Sequence, residues 1–215
     1  SQNNNNATVS DAQLAKRIEV LSKLKETLHH TLKSLSMYEG SAPFAKAVTD
    51  LARVVGSNEE DLNVVESFIV GRSVSDRLLA FESMRTLIKS SDSIVCPSYE
   101  RWNSLASDTL KFLQNEENKP NLGKIGYPQE NCFEAFIMCY EDVTIVHLLK
   151  SNDDRTLSNF LLIAIDFLEI ISPSVRVDIF RIMSRLLEET PSTYHPEFGW
   201  KHLAERTRVA TLENH

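Results

Sequence analysis

The sequence predicts an all-α protein, a multi-helix bundle or short α-solenoid of about eight or nine helices with no β-sheet. Three observations lead there. Apolar residues recur at alternating spacings of three and four through most of the 215-residue chain. Serine-led capping signals and Gly or Pro breaks punctuate those runs at helical lengths. No alternating apolar/polar run bounded by hairpin turns occurs.

Residues 1–9 (SQNNNNATV) are polar and of low complexity, and a disordered lead-in is expected. Ser10 and Gln13 have the S-x-x-Q form of a capping box, in which each side chain serves the other's backbone amide. The helix that follows places Leu14, Ile18, Leu21, Leu28, Leu32 and Leu35 on one stripe, interrupted only by Lys25. Such a seam packs against another helix. A second helix, over 43–55, presents Phe44, Val48, Leu51 and Val55 inward and stops at Gly56. Ser57 to Glu60 reads as another capping box, opening a helix with Leu62, Val65, Phe68 and Ile69 inward and a break at Gly71. Ser73 caps the next helix, whose core residues are Leu78, Phe81, Leu87 and Ile88. A further amphipathic helix over 98–115 carries Trp102, Leu105, Leu110 and Leu113.

These helices make an N-terminal amphipathic bundle over residues 10–116, followed by a loop over 117–129 that holds two prolines and two glycines. The block 130–215 then packs on the first as one domain. Its segments 131–149 and 157–171 are apolar on nearly every side, as helices buried in the middle of a helical protein are. An amphipathic helix opened by Ser172-Pro173 directs Val175, Ile179, Met183 and Leu186 inward and Arg176, Arg181 and Arg185 outward.

The segment LSNFLLIAIDFLEIISPSVRVDIFRIMSRLLEE resembles a helical pair of an armadillo or HEAT array: apolar helix, tight turn, then an amphipathic helix with arginines outside. That resemblance covers residues 157–189 and implies a stacked solenoid segment presenting a surface to partner proteins. No fixed period of 20–50 residues repeats along the chain.

Composition excludes several classes of function. A net charge of −7 argues against a general binder of nucleic acid. The longest apolar stretch, Phe160 to Ile171, is interrupted by Asp166 and Glu169 and is too short to span a bilayer. Three cysteines, Cys96, Cys132 and Cys139, point to an intracellular, reducing setting, cytoplasmic or nuclear. The chain starts at serine, as an excised piece of a longer protein would.

Catalytic and metal signals are thin. Gly123-Lys124 lacks the upstream glycine of a phosphate loop, and there is no G-x-S-x-G. The cysteines occupy positions that bury small apolar groups, beside Glu134, Glu141 and Asp142 rather than the cations an activated thiolate needs. His29 and His30 are adjacent on a helix and point about 100° apart, so they form no metal site alone. His195 and His202, with Glu197 and Glu205, are the nearest approach to a ligand cluster. Asp166 lies among Ile163, Ile165, Phe167 and Leu168, either as an arginine's partner or as a perturbed functional group.

The reading that remains is a non-catalytic interaction scaffold or adaptor, a subunit or fragment of an intracellular complex, needing no metal and no cofactor. Its candidate contact residues are Arg176, Arg181 and Arg185, for an acidic partner segment, and the seam residues Leu21 and Leu28, for an amphipathic helix. The competing reading is a homodimeric bundle acting at membranes or in assembly, because the first helix and its Tyr38-Glu39-Gly40 break resemble the opening of a crescent-shaped BAR-type dimer. Pro97, Pro120 and Pro128 oppose the very long helices of such a crescent, and a membrane role is not expected. The third reading is an enzyme using Asp166 or the His195/His202 pair.

Overall fold

The computed structural model describes residues 10–35, 38, 40–90 and 95–150. These residues form six α-helices and no strand: α1 (Asp11–Leu35), α2 (Ala42–Val55), α3 (Glu59–Glu66), α4 (Val74–Ser90), α5 (Tyr99–Leu113) and α6 (Pro128–Lys150). A short 3-10 turn, Lys119–Asn121, lies between α5 and α6. The all-α expectation holds over the described residues. The armadillo/HEAT-like pair over 157–189, with Asp166, the three arginines and the His195/His202 pair, lies outside them, as do the further helices that would bring the total to eight or nine.

α4 is the central strut, with α2, α3 and α6 packed on it. Ser73 caps it as expected, its hydroxyl accepting from the Asp76 amide at 3.2 Å. Three residues of its inward face, Phe81, Leu87 and Ile88, are buried. Phe81 stands 5.1 Å from Phe136 of α6 and 6.4 Å from Trp102 of α5, centroid to centroid, and Trp102 reaches Phe136 and Tyr140 at 5.8 and 6.1 Å. Each such pair is worth about 0.5–1.5 kcal/mol beyond the area it buries, so the cluster ties three helices at one point.

Charged side chains brace these helices and tie α3 to α5. Arg77 of α4 is 2% exposed; its guanidinium donates to Asp108 at 2.7 Å and lies 4.2 Å above the Phe112 ring, both on α5. Arg85 donates to Asp142 of α6 at 2.8 Å. Arg101 of α5 donates to Glu59, Asn63 and Glu66, all on α3. Burial outweighs that pairing at Glu66 and holds its carboxyl above the usual carboxylate range. α6 is buried on nearly every side, Cys132, Phe133, Phe136, Cys139, Tyr140 and Val143 included, as its sequence predicted. One apolar cluster runs from Leu32 through to Val146, across the loop that separates α5 from α6.

Two expectations need correction. α2 turns Ala42, Ala45, Val48, Thr49 and Ala52 inward, whereas Phe44 lies half in solvent and Leu51 and Val55 at the margin. Alanines on the inner face let the backbones of α2 and α4 approach closely, and bulk is left at the rim. The cap of α3 sits one residue later than expected: Asn58 accepts from the Asp61 amide at 3.1 Å, and Asp61 returns a bond to the Asn58 amide at 2.8 Å. Ser57 is not the cap; its hydroxyl is buried without a partner among the described residues.

Candidate partner-binding surface

Asp61 is the anchor of the first helix. It has no solvent exposure, and besides the Asn58 amide its carboxylate accepts Lys25 Nζ at 2.8 Å and His29 Nε2 at 2.6 Å. An ionised carboxylate only accepts, so Nε2 is the protonated nitrogen in that bond. Lys25 also donates to the carbonyl of Gly56 at 2.8 Å. Gly56 has φ +93°, a left-handed conformation that leaves its carbonyl at the end of α2 for this use. Lys25, the one interruption of the leucine seam, is therefore 5% exposed and sits inside the seam rather than breaking it. Together with Leu32, fully inside the core, and Leu28, half-buried against it, this clamp holds the C-terminal half of α1 onto α2 and α3.

The N-terminal half has no such cover. The capping box at Ser10 and Gln13 forms as expected, at 3.3 and 3.4 Å. From Asp11 to Val20 every side chain is exposed. Leu14 and Ile18 lie on the same stripe as Lys25, Leu28 and Leu32, yet are 52% and 39% exposed. Leu21 is half-buried at the changeover. Val20 and Leu24, also exposed, widen the apolar surface on one flank. A hollow of about 510 Å³ opens on that flank, lined among the described residues by Gln13, Lys16, Arg17, Val20 and Leu21. Glu19 is paired with Lys23 at 2.7 Å, whereas Lys16 and Arg17 make no ion pair with a described residue.

Of the residues expected from sequence to bind a partner, Leu21 borders this surface and Leu28 packs against the core. Arg176, Arg181 and Arg185 lie outside the described residues. Sequence reasoning did not find Asp61, nor that the outer end of the seam lies bare; the carboxylate's only sequence signal was its place three residues after Asn58, the N-x-x-D form of a capping box.

Other chemistry stays scattered. No group of three or more His, Cys, Asp or Glu side chains converges as metal ligands among the described residues. Cys132 and Cys139 are buried, and burial pushes the Cys132 thiol up to about 12 and Cys139 well above its ordinary range, so neither is an activated nucleophile. No described helix is long and apolar enough to cross a membrane. Comparison with known protein families, with curated proteins and with solved structures returns no match for this chain.

Proposed function

We propose that this chain is a non-catalytic interaction scaffold, a subunit or fragment of a larger intracellular complex, and that the outer half of α1 is where a partner helix docks. The supporting observation is the bare continuation of a packed seam: Leu14 and Ile18 present to solvent the stripe that Leu28 and Leu32 bury a few turns later. An apolar helix face on a firmly clamped helix is the surface that helix-in-groove recognition uses, because the partner meets a rigid stripe and little ordering entropy is spent. The arginine row Arg176, Arg181 and Arg185 is a second proposed contact surface, for an acidic segment.

The test is fluorescence anisotropy with a neutral amphipathic peptide of about 18 residues, leucines three and four apart and glutamines between them. Micromolar binding to the chain, abolished in the Leu14→Asp/Ile18→Asp variant with an unchanged melting temperature, supports the reading. Absent binding, or binding that the variant leaves intact, overturns it.

The same stripe supports a second reading, a homodimer joined along α1, membrane-associated or assembly-forming. Its measure is mass by light scattering: a two-chain mass that falls to one chain with Leu21→Asp is the expected result, and a single-chain mass for the unaltered protein removes it.

A further inference from the structure

The outer half of α1 is sorted by charge as well as by hydropathy. At about 100° per residue, Arg17, Leu24, Val20 and Lys16 follow one another down one flank of the Leu14–Ile18–Leu21 stripe. Asp11, Glu26 and Glu19 occupy the opposite flank. The hollow lies on the basic flank, with Lys16, Arg17 and the apolar Val20 and Leu21 all in its lining and no carboxylate among the described lining residues. The other three cations of the helix are already engaged: Lys23 with Glu19, Lys25 with Asp61 and Lys33 with Glu60.

We infer that the partner docked on α1 is an amphipathic helix with an acidic flank, seated over the basic side of the stripe. This rests on the interaction reading above and adds the charge of the occupant and the side it takes. Its leucine or isoleucine side chains cover Leu14, Ile18, Val20 and Leu24, and its carboxylates meet Lys16 and Arg17. Two other occupants fit less well. In a two-fold antiparallel pair of α1 helices like flanks meet, so a second copy sets Arg17 against Arg17 and the acidic flank against itself. An anionic bilayer gains only about 1 kcal/mol from each of the two cations Lys16 and Arg17, and it is a flat surface offered to a hollow by a chain of net charge −7.

The experiment uses the full chain and three synthetic peptides with one leucine pattern, flanked by Glu, Gln or Lys. Vesicles of phosphatidylserine and phosphatidylcholine are the fourth probe. The Glu-flanked peptide is expected to bind about tenfold more tightly than the Gln-flanked one, and the Lys-flanked one more weakly than either. Lys16→Glu/Arg17→Glu, both exposed and without an ion pair to a described residue, should reverse that order without moving the melting temperature. Raising salt should shrink the difference. Equal binding of all three peptides, lost with Leu14→Asp/Ile18→Asp, overturns the acidic partner while leaving the interaction reading intact. Tighter binding of the Lys-flanked peptide overturns it as well. Vesicle binding with no peptide binding, or a two-chain mass that Ile18→Asp halves, overturns the acidic helix in favour of a membrane or a second copy.

Discussion

Along α1 one apolar spacing runs through Leu14, Ile18, Leu21, Leu28 and Leu32, yet its outer end faces solvent and its inner end is core. The difference is not in the stripe itself. The inner half passes α2 and α3 and carries Lys25 and His29, which Asp61 holds by both carboxylate oxygens. The outer half, from Asp11 to Val20, is exposed throughout and carries no such buried pair. Hydropathy thus sets which side of a helix can be buried, and a polar clamp sets how far along its length that burial extends. If so, the two halves must respond oppositely to the same kind of change.

The largest expected effect is at the clamp. Asp61→Ala leaves Lys25 buried without its counter-ion and removes the reciprocal cap of α3, at a cost of about 3–5 kcal/mol. Urea denaturation measures it. Replacing Lys25 as well, Lys25→Met with Asp61→Leu, should recover part of that loss, since the buried cation goes with its counter-ion while His29 and the Asn58 amide still lack their acceptor. A double variant as unstable as Asp61→Ala would mean that the cap, the His29 bond and the Gly56 contact matter more than the buried Lys25 charge.

Why the sequence showed the stripe and not the clamp is a matter of range. Helix periodicity and caps are local, and Ser10–Gln13, Ser73 and the all-round burial of α6 were legible within one or two turns. Lys25 and Asp61 lie 36 residues apart, so nothing near Lys25 distinguishes a buried cation from a solvated one. The cap of α3 could be read equally well from Ser57–Glu60 or Asn58–Asp61; the Lys25 and His29 contacts favour the second, because it turns Asp61 toward α1. At α2 the expected face followed the large residues, whereas close packing against α4 called for the small ones.

Buried thiols give the contrast a second scale. The Cys132 thiol is held at about 12 against an ordinary 9.0, with burial the main cause. A raised folded-state pKa favours folding below the unfolded value and loses that contribution as pH rises through the folded one. Stability should therefore fall between about pH 9 and 12, by about 4 kcal/mol at the upper end from this group. Urea midpoints across that range measure the slope, and Cys132→Ala should flatten part of it. In the folded protein at pH 8 a thiol reagent should modify the partly exposed Cys96 and spare Cys132 and Cys139 until the chain unfolds.

A leucine pair tests the two halves directly. Leu32→Ala removes a side chain 1% exposed and should cost about 2–4 kcal/mol, while Leu14→Ala should cost under about 0.5 kcal/mol. Comparable losses at the two positions would show that the outer half is packed in solution.

The smallest expected stability effect is the most informative about function. Leu14→Asp and Ile18→Asp put charges where the outer stripe already meets water, so each should shift stability by no more than about 0.5 kcal/mol. Asp at position 14 also sits near the N-terminus of α1, where a carboxylate is favoured by the helix dipole, by about 0.3–1 kcal/mol. Leu14→Asp should therefore be the milder of the two, and even slightly stabilising. If these variants keep the melting temperature and lose partner binding, the exposed leucine and isoleucine are there for a contact outside the chain. If instead they lower stability by several kcal/mol, the outer half of α1 is covered from within the chain, and the docking surface must be sought elsewhere.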